Sequence, residues 1–356
     1  MVDGRLVRGD VVVDGSTVTA LGIGGAGGSG IAAPGFVDLQ VNGFAGVDFT
    51  EADADGYARA GAAMLATGVT AYQPTFVTGP EEVVAAALRA IPPAGPGPRI
   101  LGAHLEGPFL SPRRPGAHDP RHLRAPDPAL LERLLDAGPV THVTLAPELD
   151  GALELIDLLT RRGVTVACGH TEASAEAAHR AFDRGARTIT HLFNAMRPPA
   201  AREPGIAFAA LAREDVTVQL IVDGHHLAPE TVNAVRRAKP GQLALVTDAV
   251  AAAGAPDGEY RMGTVPITSA DGVVTNPDGN LAGSALTMIE AVRNLYELGA
   301  TLEQALAAAS TIPARIAGRR DVGDLRPNAT ADIVILDDRL EITRVLREGA
   351  VVVAAA

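Results

Sequence analysis

The sequence predicts a (β/α)8 TIM-like barrel together with a small β-sandwich domain formed from both chain ends. The middle of the chain alternates short apolar runs with amphipathic helical segments eight times, which is typical of a closed parallel barrel. The two ends carry short β-branched runs separated by turns, and neither end can bury a sheet by itself. We therefore expect a small domain from 1–33 and 321–356, and a catalytic barrel from 34–320.

Each predicted strand is an apolar run rich in β-branched residues, and each predicted helix repeats apolar residues at helical spacing. The predicted barrel strands are Phe36–Val41, Val69–Gln73, Arg99–Leu105, His142–Leu145, Val164–Cys168, Thr188–His191, Val216–Val222 and Leu243–Val246. The predicted helices between them include Ala52–Leu65, Glu81–Ala90, Leu153–Arg161, Ala173–Arg184 and Pro229–Ala238. An open doubly wound sheet is the alternative architecture for the same alternation.

Composition limits the partners and the compartment. The chain of 356 residues has 30 basic and 42 acidic side chains, and its net charge of −12 argues against a nucleic-acid or anionic-membrane surface. Cys168 is the only cysteine, so the chain forms no intramolecular disulfide and suits a reducing compartment. The first residues lack the apolar segment of a signal peptide, and no apolar run approaches the ~20 residues of a membrane helix. We expect a cytoplasmic protein with a small-molecule substrate.

Polar residues suited to metal binding or acid–base chemistry follow the predicted strands at one end. Barrel active sites lie at the C-terminal ends of the strands, so this registration predicts an active site there. The residues concerned are Gln40 and Asn42 after the first strand, Glu106 after the third, His170 after the fifth, His191 after the sixth, Asp223, Gly224, His225 and His226 after the seventh, and Asp248 after the eighth.

One carboxylate and two imidazoles, Glu106, His170 and His191, are a donor set suited to Zn or Fe(II). Each histidine taken alone is also explained as a half-buried structural residue, but their joint position at strand ends favours a metal site. Asp248 is interpreted as a general base and acid, with a helix N-cap or a turn as the alternative. For His118, in a loop rich in Pro, Gly and Arg, a lid or substrate contact and plain solvent exposure both remain open.

An ordered set of motifs covers nearly the whole chain and resembles one known family. The motifs run from Pro34-Gly35-Phe36-Val37-Asp38-Leu39-Gln40-Val41-Asn42-Gly43 through His104-Leu105-Glu106-Gly107-Pro108-Phe109, Gly116-Ala117-His118, Gly169-His170-Thr171, Thr190-His191-Leu192-Phe193-Asn194-Ala195-Met196, Arg202-Glu203-Pro204-Gly205, Asp223-Gly224-His225-His226 and Val246-Thr247-Asp248-Ala249 to Leu281-Ala282-Gly283-Ser284. They resemble the N-acetylglucosamine-6-phosphate deacetylases of the amidohydrolase superfamily.

The resemblance implies a metal-dependent amide hydrolase that releases acetate from N-acetylglucosamine 6-phosphate. Its metal ligands would be Glu106, His170 and His191, and Asp248 would be the catalytic acid and base. Family members are typically homodimers in which the neighbouring subunit helps to complete the site, and we expect the same here. The implied sugar or acetyl contacts are Ala117, His118, Asp223, Gly224, His225, His226, Leu281, Ala282 and Gly283, and the implied phosphate contacts are Asn194, Ala195 and Arg202.

The first strand end indicates a single metal. Many amidohydrolases carry His-x-His there, whereas this chain has Gln40-Val41-Asn42, whose neutral amides are poor ligands for Zn or Fe. Lys239, the only lysine, follows the seventh strand and is therefore not placed to form a bridging carbamate. We expect one divalent metal per subunit, Zn first, with Fe, Co or Mn as alternatives.

In the predicted mechanism, Asp248 moves the proton and His118 helps the metal to stabilise the oxyanion. Two other functions are kept as alternatives. One is a deacetylase of another N-acyl amino-sugar phosphate, for example N-acetylgalactosamine 6-phosphate, because these motifs do not decide the sugar epimer. The other is a non-catalytic barrel that binds a sugar phosphate.

Overall fold

Twenty strands and ten α-helices lie within the residues that the computed structural model describes, 5–24 and 30–354. In chain order the strands are β1 (Asp10–Asp14), β2 (Thr17–Ile23), β3 (Ile31–Pro34), β4 (Phe36–Val41), β5 (Gly43–Phe44), β6 (Val47–Asp48), β7 (Val69–Val77), β8 (Arg99–Ile100), β9 (Ala103–Glu106), β10 (Val140–Leu145), β11 (Thr165–Cys168), β12 (Thr188–Ile189), β13 (Thr217–Leu220), β14 (Leu243–Leu245), β15 (Gly258–Met262), β16 (Val265–Ala270), β17 (Val273–Thr275), β18 (Ile333–Leu336), β19 (Ile342–Arg347) and β20 (Ala350–Ala354). The helices are α1 (Ala54–Ala66), α2 (Glu81–Ala90), α3 (Pro128–Ala137), α4 (Ala152–Arg161), α5 (Ala175–Arg184), α6 (Gly205–Leu211), α7 (Pro229–Ala238), α8 (Met288–Glu297), α9 (Leu302–Ala309) and α10 (Thr311–Ile316). A 3-10 turn covers Pro120–His122.

The central sheet is parallel, and its strands run in the order β4-β7-β9-β10-β11-β12-β13-β14, with β8 as a short extra partner of β7. A parallel bridge between Val41 and Ala249 joins the end of the first strand to the residues after the last one. This bridge closes the ring at the carboxyl end of the strands. The predicted (β/α)8 barrel is therefore confirmed, and the open doubly wound alternative is wrong because the two edge strands meet.

The outer helices turn one apolar face to the barrel, as their sequence spacing predicts. In α4, Leu155, Ile156 and Leu159 are fully buried. Helix α5 begins where the Ser174 side chain accepts a hydrogen bond from the Ala177 N–H, and it ends at Gly185, which has a left-handed φ of 119°. Among the described helices, none is both long and apolar enough to cross a membrane.

Both chain ends contribute antiparallel sheets beside the barrel, as predicted. One sheet has the order β20-β19-β18-β3, and β1 pairs with β2 in a second sheet. Val18 of the second sheet packs with Ile333 of the first and with Leu325 and Ala331. The boundaries 1–33 and 321–356 stay a prediction, and residues 1–4, 25–29 and 355–356 of those ranges lie outside the described part of the chain.

Three local features differ from the sequence prediction. The predicted strand Arg99–Leu105 is split into β8 and β9, because Gly102 has a φ of +96° that interrupts the extended backbone. The sixth strand ends at Ile189 rather than at His191, whose φ is +28°. After the eighth strand, the chain forms an antiparallel excursion of three strands, β15 to β17, which no predicted element covered.

Candidate active site

The carboxyl ends of four barrel strands bring together the residues predicted to carry the chemistry. Glu106 is the last residue of β9, and His170, His191 and Asp248 each follow within three residues of β11, β12 and β14. All four are buried, with exposed fractions between 3% for Glu106 and 8% for Asp248. Because the parallel strands end at the same side of the barrel, residues far apart in sequence lie together in one compact group.

The side-chain atoms of Glu106, His170 and His191 converge on one point. The Nε2 atoms of the two histidines are 3.2 Å apart, and Glu106 Oε1 lies 3.2 Å from His170 Nε2 and 3.0 Å from His191 Nε2. The candidate ligand atoms all lie within 4.8 Å of one another. Such a spacing suits a single cation held by one carboxylate and two imidazoles.

Hydrogen bonding tests whether these residues fit a metal. The Nδ1 atom of His170 donates to the backbone oxygen of Arg114 at 3.1 Å, because a carbonyl can only accept. In the neutral ring, Nε2 of His170 therefore carries a lone pair that faces the Glu106 carboxylate. Two electron-rich atoms at 3.2 Å need a cation or a proton between them, so the residues fit a metal.

The electrostatics of the group favour a positive charge. Burial alone would raise the pKa of Glu106, but contacts with His118, His170 and His191 outweigh burial and hold this pKa well below its ordinary value. Burial alone would lower the pKa of His191, but its contact with Glu106 and the charge of Asp248 outweigh burial and raise it. The negative field that raises the pKa of His191 also attracts a cation.

Several of these residues have a left-handed backbone that non-glycine residues seldom adopt. The φ angles are +47° at His170, +28° at His191, +49° at Ala195 and +50° at Asp248. Each such conformation costs of order 1–3 kcal/mol and persists where surrounding contacts impose it. Their concentration at the strand ends is typical of a functional site.

Hydrogen bonds hold both the side chain and the backbone of Asp248. Asn42 Nδ2 donates to Asp248 Oδ1 at 2.8 Å, and the backbone oxygen of Asp248 accepts from Ser284 N–H at 2.9 Å. Burial, followed by the negative charge of Glu106, raises the pKa of Asp248 to about 6. A carboxylate with a pKa near neutrality can both take up and release a proton.

His118 reaches the same group from the loop after β9. The Thr78 N–H donates to His118 Nδ1 at 3.3 Å, so in the neutral ring the proton lies on Nε2. That Nε2 is 3.5 Å from Glu106 Oε2. Burial and repulsion from His170 lower the pKa of His118, which favours the neutral ring with its donor directed toward the site.

The two side-chain amides at the end of the first barrel strand donate hydrogen bonds to the Glu106 and Asp248 carboxylates. Gln40 Nε2 donates to Glu106 Oε1 at 3.1 Å, and Asn42 Nδ2 donates to Asp248 as described above. Lys239 lies away from the site, where its Nζ donates to the backbone oxygens of Ala210 and Arg213. Both amide side chains at this strand end are thus engaged as donors to carboxylates.

A cavity of about 380 Å³ opens above these residues, a size suited to a small-molecule ligand. Its lining includes the predicted site residues Glu106, Ala117, His118, His170, His191, Asn194, Ala195, His226, Asp248, Leu281 and Gly283. The predicted contacts Arg202, Asp223, Gly224, His225 and Ala282 are not among its lining residues, and Arg202, Gly224 and His225 are exposed. The roles of all these residues stay predictions.

The lining also includes residues that sequence reasoning missed: Arg113, Arg114, Pro115, Gly116, Ile221, Met262 and Asn280. Both arginines face Glu172, which contacts Arg114 Nε and lies 4.0 Å from Arg113 Nη2. Their position seven and eight residues after Glu106, in a loop that contains the predicted contacts Ala117 and His118, was the available signal. They are the only basic side chains other than histidine among the described residues that line this cavity.

The model of the amidohydrolase family matches residues 31–352 of this sequence. The chain belongs to the amidohydrolase family. Among curated amidohydrolases, mouse N-acetylglucosamine-6-phosphate deacetylase is 40% identical over 346 residues, covering 91% of this chain and 84% of the mouse protein. N-acetylgalactosamine-6-phosphate deacetylase from Escherichia coli O157:H7 is 37% identical over 324 residues, covering 89% of this chain and 86% of its own length.

Solved structures agree with this family membership. A mutant of N-acetyl-D-glucosamine-6-phosphate deacetylase from Mycobacterium smegmatis, in complex with N-acetyl-D-glucosamine-6-phosphate, superposes with a TM-score of 0.92 at 39% identity. The match covers 97% of this amidohydrolase and 94% of the mycobacterial chain. The corresponding enzyme from Thermotoga maritima gives a TM-score of 0.88 at 31% identity over 97% of this chain and 95% of its own. The barrel and the flanking sheets are therefore shared with deacetylases of known structure.

Proposed function

We propose that this amidohydrolase converts N-acetylglucosamine 6-phosphate and water into glucosamine 6-phosphate and acetate. The observation that carries the proposal is the buried group of Glu106, His170 and His191 beside Asp248, in a cavity that Arg113 and Arg114 also line. The 40% sequence identity with mouse N-acetylglucosamine-6-phosphate deacetylase over most of the chain supports the choice of substrate.

The metal requirement follows from the donor set. A divalent metal held by Glu106, His170 and His191 supplies Lewis-acid chemistry, since it lowers the pKa of a water and polarises an amide carbonyl. We propose one ion per subunit, Zn first and Fe, Co or Mn as alternatives. The amide donors of Gln40 and Asn42 support the single ion.

The protein's own groups move the proton and stabilise charge. Asp248 takes a proton from the attacking water and delivers it to the leaving amine, which suits a carboxyl whose pKa is raised to about 6. Asn42 holds the Asp248 side chain in place by its hydrogen bond. His118, with its proton on Nε2, donates to the oxyanion that forms on the acetamide oxygen.

The phosphate is proposed to bind at the part of the cavity lined by Arg113 and Arg114. Arg113 and Arg114 line the cavity together with the predicted phosphate contacts Asn194 and Ala195, and guanidinium groups suit a phosphate. Arg202 is exposed outside the cavity of its own chain, so its predicted contact fits a site shared with a partner subunit.

Acetate release from N-acetylglucosamine 6-phosphate tests the function, with metal content measured before and after chelation. We expect release that is lost with the metal and restored by about one equivalent of Zn or Fe(II). Asp248→Asn should retain the metal and lower kcat by ~100-fold or more, because the general base is gone. Substantial residual turnover in this variant, or a folded wild-type protein that is inactive with every divalent metal, would contradict the proposal.

The epimer N-acetylgalactosamine 6-phosphate is the second candidate substrate, favoured by the 37% identity with the E. coli deacetylase of that sugar. The two substrates differ only in the orientation of one hydroxyl, so a comparison of kcat/KM on both decides between them. We expect the larger kcat/KM with the glucosamine derivative. The reverse ranking would transfer the assignment to the galactosamine derivative.

We also propose that the protein is a homodimer and is located in the cytoplasm. The exposed position of Arg202, outside the cavity that Asn194 and Ala195 line, supports a partner that completes the phosphate site. Light scattering should give twice the chain mass of 36.5 kDa. Arg202→Ala mixed with an inactive Asp248→Asn protein should regain activity if the site is shared between subunits. A monomer of full activity would contradict this proposal.

A further inference from the structure

Asp223 and His226 form a tight pair at the edge of the proposed substrate cavity. Asp223 Oδ2 accepts a hydrogen bond from His226 Nδ1 at 2.6 Å. Asp223 Oδ1 accepts from the backbone N–H groups of His225 at 2.8 Å and His226 at 2.9 Å. His226 lines the cavity, whereas Asp223 is not among the lining residues, and its side chain is only 8% exposed.

The charge of Asp223 determines where the proton of His226 lies. Burial opposes ionisation of Asp223, but hydrogen bonds from His226 and from the backbone outweigh burial and lower its pKa to about 2. An ionised carboxylate only accepts, so the facing Nδ1 of His226 must carry a proton. In the neutral ring, Nε2 is then a lone-pair atom, and it is the ring nitrogen not engaged by Asp223.

We propose that Asp223 is a positioning residue that fixes the tautomer and orientation of His226, and that only His226 of this pair contacts the sugar phosphate. The role predicted from sequence, a direct contact of Asp223 with the substrate, is thereby replaced by an indirect one. The inference rests on the proposed function, since it concerns the same cavity. Nε2 of His226 accepts a hydrogen bond from a substrate hydroxyl, which the other tautomer cannot do.

Asp223→Asn tests the control of the His226 tautomer without removing the side-chain acceptor of the turn at residues 223–226. The amide oxygen of asparagine still accepts from the two backbone N–H groups, while its NH2 group donates to Nδ1 and forces the proton of His226 onto Nε2. We expect 15N NMR of the side chain to report this exchange of protonated nitrogen. KM for N-acetylglucosamine 6-phosphate should rise ~10-fold, the effect of losing one hydrogen bond, while kcat changes less.

A double-mutant cycle tests whether Asp223 acts through His226 alone. The variant that combines Asp223→Asn with His226→Gln should be no worse than His226→Gln by itself. Independent effects that multiply in the double variant would mean that Asp223 contacts the substrate directly and would overturn the inference. Glu230→Gln, a carboxylate-to-amide change at an exposed position in the first turn of α7, is the matched control and should behave as wild type.

The NMR measurement on the wild-type protein does not depend on enzymatic activity. The His226 signals are assigned by their loss in His226→Gln, and the proton is expected on Nδ1. A proton on Nε2 in the wild-type ring would overturn the inference even if all variants are active. Absence of deacetylation by the wild-type protein would instead contradict the proposed function, while the NMR result would still decide the role of Asp223.

Discussion

Individual residues at the strand ends combine backbone strain with buried charge. His170, His191 and Asp248 hold left-handed backbones, and the buried Glu106 carboxylate lies among them. Both features reduce stability unless something compensates, and a bound cation compensates the charge. The group should therefore lose most of its metal affinity when one ligand is neutralised.

Glu106→Gln tests this expectation. The amide keeps the shape of the side chain but removes the anionic ligand, so metal affinity should fall by more than the ~10–100-fold that is typical of changes outside the direct ligands. Titration against a chromophoric chelator measures the affinity. Glu176→Gln on the exposed side of α5 is the control, and equal affinities in the two variants would count against the metal site.

Asp38 predicts a pH dependence of stability. Burial raises its pKa to about 7, although Thr247 Oγ1 donates to Asp38 Oδ2 at 2.6 Å. In the unfolded chain the pKa is ~3.9, so the folded state binds the proton more tightly and stability falls as pH rises from ~4 to ~7. Asp38→Asn removes this ionisation, and its stability relative to wild type should increase across that window.

Urea unfolding at several pH values between 4 and 8 measures the difference. A constant offset between Asp38→Asn and wild type would show that Asp38 titrates alike in both states. A relative stability of Asp38→Asn that decreases as pH rises would contradict the prediction.

The sequence predicted which residue types form the site and where they lie along the chain, but it did not predict the distances between their side chains. The strand-end positions of Glu106, His170, His191 and Asp248 were predictable because apolar runs locate strand ends. For Arg113 and Arg114 the sequence shows only that they lie in the loop with Ala117 and His118; their place in the cavity lining was not predictable, because the path of a loop depends on tertiary contacts such as the one between Arg114 and Glu172. Arg202 was assigned by resemblance, which does not tell on which chain a side chain acts.

At the scale of the elements, hydrogen bonds from the Lys239 ammonium group connect the end of α7 to α6. Lys239, directly after α7, is 2% exposed, and its Nζ donates to the backbone oxygens of Ala210 in α6, at 3.2 Å, and of Arg213, two residues after α6. Cations near a helix C-terminus satisfy carbonyls that lack helical partners. The single lysine of the chain therefore fixes the helix that follows the proposed phosphate-binding segment.

Lys239→Met should lower the free energy of unfolding by about 1.5–3 kcal/mol, because it removes two hydrogen bonds from a charged donor to backbone oxygens. Chemical denaturation of the metal-loaded protein measures this loss. Arg237→Met, an exposed change in the last turn of α7, is the control and should change stability little. Equal stabilities would mean that water replaces the ammonium group at no cost.

Element boundaries were predictable where propensity and pattern agree, as in α2 and α7, which match their predicted ranges. Helix α3 was not among the helices named from the sequence, although Asp127 caps it and Pro128 occupies its first position, a recognisable start signal. The excursion β15 to β17 was missed because its strands are partly exposed and their apolar runs are short.

For the whole molecule, the chain-end sheet and the barrel share one core. Val334 and Leu336 of β18 belong to the same apolar cluster as Phe36, the first residue of the first barrel strand. Arg99 of the barrel also donates to Glu348 near the C-terminus at 2.9 Å. These contacts predict that the two parts unfold together, even though the sequence divides them.

Calorimetry of the metal-loaded protein should show a single transition with equal calorimetric and van't Hoff enthalpies. A chain shortened to end at Arg320 should fail to fold, because it would expose the barrel surface that β18 covers. Two separate transitions in the full chain would show that the small domain is autonomous and would contradict the shared core.

The bridge between Val41 and Ala249 lies beside the hydrogen-bonded pair of Asn42 and Asp248, so the contact that closes the ring also brings Asp248, the proposed acid and base, to Asn42. During translation, the first strand leaves the ribosome about two hundred residues before its partner does. A nascent or prematurely terminated chain that ends before Asp248 therefore lacks the proposed acid–base group however well its early strands pair. We therefore expect hydrolysis only from chains whose synthesis has passed the eighth strand.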